Sequence, residues 1–365
     1  MTKERKLYFD GLKGIACLFI MFGHFAGVYK YAVDATAIES GFLKSFTIFP
    51  ISFLTAESFW LYLFFAVSGY LVASSKVESV RDVCRKSVVR FFRFFIPIVG
   101  IICIAFLIDK TIGYHNQELR SVLDNPWYFR SYQETFTFND LILEPVRVLV
   151  QGTSRFDSPL WVMRDMLLAS GLIYAIGYMI KSNKTVTIRG GYALLCILLP
   201  VCVGLKRYVL FGCLCGACCR WFEEQLSRIT RLKPFFWIVT LSLVGAYFLN
   251  NNYVAAALFS IWVVALKESH VVKLFDNKLM GRLGSISLGI FMIHWPFYNS
   301  IGALLIKRFY GHLSNRVLMV LVFVLMFIVV AACAAAFKLT VERITTLICK
   351  AVDNRLKVVL GSVEK

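Results

Sequence analysis

From residue 11 almost to the end of the chain, long apolar runs alternate with short polar connections. A helix needs roughly 20 residues to cross about 30 Å of hydrocarbon. Runs on this scale fall at 11–30, 46–74, 91–108, 159–180, 189–205, 207–222, 235–249, 253–267, 283–306 and 317–338. The pattern predicts an all-α membrane protein, a polytopic bundle of about ten transmembrane helices. The fifth, sixth and eighth runs are the shortest. The first run is too long for a signal h-region and lacks a small-residue cleavage site, so it is expected to be retained. A transmembrane domain is therefore expected over residues 1–340, with a short tail at 341–365. Only 109–158 breaks the alternation with a long connection, polar and aromatic together, of the kind that is often functional.

Composition agrees with this reading. Of 365 residues, 58% are hydrophobic and 17% charged, and the mean hydropathy is +0.69, which leaves no soluble domain of ordinary size. A net charge of +18 invites a nucleic-acid reading, but charge in such a chain has to be counted connection by connection. With ten spans and the N-terminus inside, 26 of the 40 Lys and Arg fall on the cytoplasmic side and 12 on the other, with Lys13 and Arg164 within spans. That is the positive-inside pattern, so both termini are expected in the cytoplasm and no nucleic-acid partner is implied. The 11 cysteines include CLCGACC, residues 213–219. The cluster lacks the paired spacing of a zinc site, and small thiols pack well between helices. Neither a metal site nor a disulfide framework is expected.

Against this background the ionisable residues inside the spans stand out, because a charge facing lipid is costly and by default faces a cavity or a partner. In GLKGIACLFIMFGHF, residues 11–25, Lys13 and His24 are eleven positions apart. Eleven steps of about 100° put both on nearly one face, about 16 Å apart along the axis. Lys13 then sits near the inner surface, where it could also snorkel, and His24 near mid-membrane. His294, in SISLGIFMIHWPF, is expected at a similar depth, with Pro296 freeing backbone carbonyls just beyond it. Glu57, within the second run, is expected to need a partner, for which the histidines are natural candidates. RFFRFFIP sets Arg90 and Arg93 one turn apart, a spacing suited to gripping phosphate or to anchoring at the inner surface. LFFAVSGYLVASS brings Ser68 and Gly69 to the inner half of the second run. SPLWVMRDML places Arg164 and Asp165 after Trp161 near an outer surface, to pair with neighbours or bind an acceptor. Trp127 and Tyr128 in the long connection could stack on a sugar or anchor at the interface.

These features describe a basic inner mouth, a mid-membrane histidine and an aromatic outer mouth. The layout suits reaction between a phosphorylated donor inside and a hydroxylated acceptor outside, with histidine as general base. A membrane transporter or exporter of a lipid-linked sugar would also need midplane ionisable groups, although no internal repeat is visible.

In order over essentially the whole chain, FDGLKGIACLFIMFGHF, LFFAVSGYLVAS, RFFRFFIP, SPLWVMRDML and SLGIFMIHWP resemble the acyltransferase-3 family of bacterial inner-membrane acyltransferases. The family's basic residue, ten intervening residues and histidine match Lys13 and His24, its RxxR pair matches Arg90 and Arg93, and its Ser-Gly motif matches Ser68 and Gly69. The resemblance implies O-acylation, usually O-acetylation, of a surface glycan or lipid-linked sugar, with acetyl-CoA as a donor substrate and no permanently bound cofactor. It implies His24 as the catalytic histidine with Lys13 as its hallmark partner, and Arg90, Arg93, Ser68 and Gly69 at the donor site. Glu57, Arg164, Asp165, His294 and Trp161 are left in supporting roles. Location in the bacterial cytoplasmic membrane is implied as well. Lys replaces the more frequent Arg at 13, and VMRD varies the usual aromatic pattern. Some relatives append an extracytoplasmic SGNH-type domain. Only 27 residues follow Lys338 here, so the chain is expected to act alone or with a separate partner.

Overall fold

The computed structural model describes residues 7–29, 48–123 and 125–362. The basic N-terminal tail, residues 30–47 between the first two predicted spans, Asp124 and the last three residues lie outside the described residues. The helices are α1 (Leu7–Tyr29), α2 (Glu57–Ala73), α3 (Val80–Thr111), α4 (Phe138–Gln151), α5 (Val162–Ile180), α6 (Thr185–Gly204), α7 (Tyr208–Trp221), α8 (Glu223–Thr230), α9 (Lys233–Phe248), α10 (Asn252–Lys267), α11 (Lys278–Ser285), α12 (Ser287–Phe297), α13 (Ala303–Phe309), α14 (Asn315–Phe337) and α15 (Arg343–Ser362). No β-sheet forms among the described residues. Among the described residues six helical stretches are long and apolar enough to cross a bilayer, or seven if the bent pair α8 and α9 forms one span, and α2, α7 and α10 are shorter apolar helices. The chain is a multi-pass helical membrane protein.

Without water to drive apolar surfaces together, helices in lipid associate by close packing and small residues. The contact between α2 and α7 shows this directly. A Cβ on Gly69 would lie 1.9 Å from the carbonyl oxygen of Cys213, and one on Gly216 would lie 2.1 Å from that of Ala66. The two backbones touch, and CLCGACC is the surface that permits it. Helix α1 meets α11 in the same way, with a Gly284 Cβ only 1.9 Å from the Asp10 carbonyl oxygen. Gly14 lies level with Gly284 and His24 with His294, so α1 and α12 run in the same direction, as expected for two outward spans.

Three departures from the sequence pattern affect the site. The second predicted span is broken: a turn at Ile51–Leu54 ends at Thr55, and α2 begins afresh at Glu57. The Thr55 hydroxyl donates to the Ile51 carbonyl at 3.1 Å, and the Trp60 indole donates to the Phe53 carbonyl at 3.1 Å, which fastens the bend. Glu57 therefore occupies the first turn of a helix, where the dipole favours a carboxylate, and not a mid-span position.

The long connection contains α4, whose carboxylate Asp140 accepts from the Thr137 N–H at 2.9 Å and hydroxyl at 2.8 Å. Gly152, at φ +70°, closes its far end. Phe138, Ile142, Val146 and Val150 form an exposed apolar stripe, and Glu144 on the other side is buried against Arg147.

Lastly, two helices carry single π turns, Tyr298–Gly302 after α12 and Lys338–Glu342 after α14. Such turns are rare and occur often at functional sites. The second makes α14 and α15 one continuous rod, so residues expected in a tail pack along α3, with Cys349 against the Val89 carbonyl and Arg85 paired with Asp353.

Candidate functional site

A cavity of about 610 Å³ opens among α1, α2, α3, α5, α12 and the π turn that precedes α15. Lys13, Ser68, Arg90 and Arg93, from three different helices, all line it. Arg90 is held rather than loose: its Nε donates to Ser170 Oγ at 3.1 Å, and its guanidinium lies 4.8 Å over the Phe94 ring. Lys13 Nζ pairs with Asp10 at 2.9 Å. The sequence reading missed the share contributed from beyond α14, where Glu342, Thr345 and Thr346 line the same cavity. One Glu342 carboxylate oxygen is buried with no hydrogen-bond partner among the described residues. An acid four positions after Lys338, at the end of a long apolar run, was the available signal.

Gly69 is not among the residues that line this cavity. It faces α7, where backbone contact leaves no room for a side chain, while its neighbour Ser68 lines the cavity.

On one side the cavity is walled by Phe64 and Met292. Phe64 stacks on Phe291 with centroids 5.8 Å apart and planes 10° apart, and the Phe291 ring is 6.3 Å from that of His294. Beyond this thin aromatic wall lie the two histidines. His24 Nδ1 is 2.7 Å from His294 Nε2, and the rings are stacked at 5.0 Å. His294 Nδ1 is 2.9 Å from the carbonyl oxygen of Ile290, which can only accept. With both rings neutral, one arrangement of protons satisfies the chain: His294 donates from Nδ1 to Ile290, leaving its Nε2 to accept from His24 Nδ1–H. His24 Nε2 is then unprotonated and carries the lone pair a general base needs. The partner of His24 is the second histidine and not Glu57, whose Cβ abuts the position of Gly23.

Part of the long connection folds over the histidines. Asn125 donates from Nδ2 to the Gly27 carbonyl at 2.8 Å and accepts from the Tyr128 N–H at 3.2 Å. The Tyr128 hydroxyl donates to the Tyr298 carbonyl at 3.1 Å, and the Trp295 indole donates to Ser131 Oγ at 3.2 Å. Nearby, Asp157 is fully buried, neither of its carboxyl oxygens having a hydrogen-bond partner among the described residues. Burial alone pushes its pKa well above the usual carboxylate range.

Arg164, Asp165 and Trp161 form a separate structural group. Arg164 Nε donates to Asp165 at 3.0 Å and its Nη1 to the Gln151 carbonyl at 2.6 Å, while Arg207 reaches Asp165 at 3.4 Å. The Trp161 ring packs edge-on to Tyr208 at 5.5 Å. These pairs tie α5 to the end of α4 and to the start of α7.

A family model described as an acyltransferase domain, acyltransferase-3, matches residues 6–337. Among curated proteins nothing matches, and none of the solved structures does.

Proposed function

The chain belongs to the acyltransferase-3 family, and from that premise we propose that it moves an acyl group, most simply acetyl, from cytoplasmic acyl-CoA to a hydroxyl of an extracytoplasmic or lipid-linked glycan. The observation that carries this reading is the junction of two half-sites. A basic cavity is lined by Lys13, Arg90 and Arg93, and ring contacts from Phe64 through Phe291 to His294 lead from its lining to the histidine pair, whose His24 Nε2 is unprotonated.

Arginine at one-turn spacing, pre-set by Ser170, suits the diphosphate and 3′-phosphate of CoA. Lys13 adds charge at the same mouth, and its carboxylate partner Asp10 keeps it ordered. The pantetheine arm runs up the cavity and its thioester displaces the side chains of the wall to reach His24. His24 Nε2 takes the proton from the acceptor hydroxyl as its oxygen bonds to the thioester carbonyl carbon. The tetrahedral intermediate collapses with cleavage of the C–S bond, and the imidazolium returns its proton to the departing CoA sulfur. His294 holds the base in the right tautomer throughout. On this reading the protein works in a bacterial cytoplasmic membrane with both termini inside.

The test uses purified protein in lipid nanodiscs with acetyl-CoA and scores CoA binding and thiol release separately. Replacing Arg90 and Arg93 together with Ala removes two charge-assisted contacts worth about 1.5–3 kcal/mol each, so acetyl-CoA affinity should fall at least about a hundredfold. Unchanged affinity would move the donor site elsewhere, and a chain that binds CoA but never cleaves the thioester would end the acyl-transfer reading.

A further inference from the structure

Among the described residues three rings contact that of His24, and one of the three is open. His294 and Trp295 are fully buried, whereas Trp127 is 39% exposed. The Trp127 ring centroid is 5.8 Å from that of His24 and 4.7 Å from that of Trp295. It is thus the ring that touches both the base and the surroundings.

Its exposure is built into the fold. Trp127 stands at the head of a short 3₁₀ turn, Tyr128–Arg130, and the chain is fixed on both sides of it. Asn125 ties the turn to Gly27 on α1, less than one turn past His24, and Ser131 is tied to Trp295 on α12. The Tyr128 hydroxyl adds a bond to the Tyr298 carbonyl, while the Tyr298 hydroxyl donates to the Met21 carbonyl at 3.0 Å. A ring held this firmly would ordinarily be buried. Its indole N–H has no hydrogen-bond partner among the described residues, and exposed Pro126 and Arg130 flank it.

We infer that Trp127 is the acceptor platform, a stacking surface that holds a pyranose ring against His24. The inference rests on the acyl-transfer reading and adds to it the class of acceptor and the residue that receives it. A pyranose presents an apolar face of C–H groups and a rim of hydroxyls. The indole face suits the first, and the free N–H together with the Arg130 guanidinium suits the second. Seated there, a rim hydroxyl lies beside the lone pair of His24 Nε2, and the sugar is oriented before the donor arrives.

The experiment uses the full chain in nanodiscs, with methyl pyranosides of the gluco, galacto and manno series as probes. Saturation-transfer NMR reads sugar binding without donor, and acetyl transfer from acetyl-CoA reads KM and kcat. Wild type should bind at least one pyranoside through its C–H face. Trp127→Ala should raise KM for it by about tenfold, the scale of one lost ring contact, with a smaller fall in kcat, and Trp127→Phe should recover most of the loss. Equal KM in W127A and wild type would overturn the proposal, as would a loss confined to kcat, which would make the ring a buttress for His24 only. Transfer to glycerol with no binding of any pyranoside would overturn it too. A wild-type chain that releases no CoA with any acceptor, yet binds a pyranoside through Trp127, fails the acyl-transfer reading and leaves the platform standing.

Discussion

Replacing His294 with Ala tests the proton arrangement at its most exposed point. In the wild type the Nδ1–H of a nearly buried His24 has an acceptor at 2.7 Å. Removing it leaves a buried donor unsatisfied, at a cost of about 1–3 kcal/mol. The tautomer with the proton on Nε2, which cannot act as a base toward the acceptor, becomes correspondingly more populated. At 1.4 kcal/mol per tenfold, kcat should drop by roughly one to two orders of magnitude. His24→Ala removes the base itself and should cost roughly 10²–10⁴-fold. Because His294 acts only through His24, the double variant should be no slower than H24A alone. The assay is steady-state acetyl transfer by purified protein in nanodiscs, with acetyl-CoA binding measured in parallel to confirm that every variant keeps an intact donor cavity. If the two losses multiply in the double variant, or if H294A keeps wild-type kcat, the tautomer argument is wrong. His294→Gln, which keeps an acceptor oxygen, should recover part of the loss.

Two further outcomes follow from packing and burial. Gly69→Ala forces a methyl group into the backbone of α7, where its carbon would fall 1.9 Å from an oxygen; overpacking of this kind costs about 1–3 kcal/mol, so the melting temperature should drop, and an unchanged melting temperature would show that α2 and α7 are not in contact as described. Asp157 has a pKa raised by burial, so the stability it contributes is complete below the ordinary carboxylate value of about 3.9 and is lost as pH rises toward the folded-state value, at about 1.4 kcal/mol per unit. Asp157→Asn cannot ionise and should therefore gain on wild type, in thermal unfolding, as pH is raised from about 4 to about 8. Parallel curves for the two proteins would show that the carboxyl is not held in its neutral form.

Hydrophobic patterning located the apolar helices because the length needed to cross a bilayer is a property of the chain alone. Spacing along α1 likewise related Lys13 to His24, and the motifs carrying Arg90, Arg93 and Ser68 converge on one cavity from separate helices. What the chain could not declare was choice of partner. Nothing near His24 in sequence indicates that its neighbour is 270 positions away, and Glu57 was an equally reasonable choice until the second apolar run proved to be broken at Thr55. Gly69 stood beside Ser68 in a motif, yet successive residues on a helix face different neighbours, and only the position of α7 separates the two roles. Helix α4 is legible in its start and stop signals, Thr137, Asp140 and Gly152, but at 14 residues it is too short to stand out in a pattern of membrane-crossing runs. The contribution of Glu342 and Thr345 depends on a π turn that no hydropathy pattern encodes.

The stacked pair Phe64 and Phe291 bears on where the protons of the proposed reaction start and finish. The acceptor gives up its proton on the histidine side of these rings, and the CoA sulfur that finally takes it belongs to the cavity side. The acyl carbon passes the other way. Each turnover is thus an exchange, an acyl group outward for a proton inward. The acyl group leaves the thioester as a formal acylium and one proton returns in its place, so ester and thiol are both neutral, no net charge crosses, and a membrane voltage neither drives nor opposes the exchange. Neither phenyl ring can relay a proton. Until a donor displaces these side chains, the rings themselves offer no proton path between the cavity and the histidine pair.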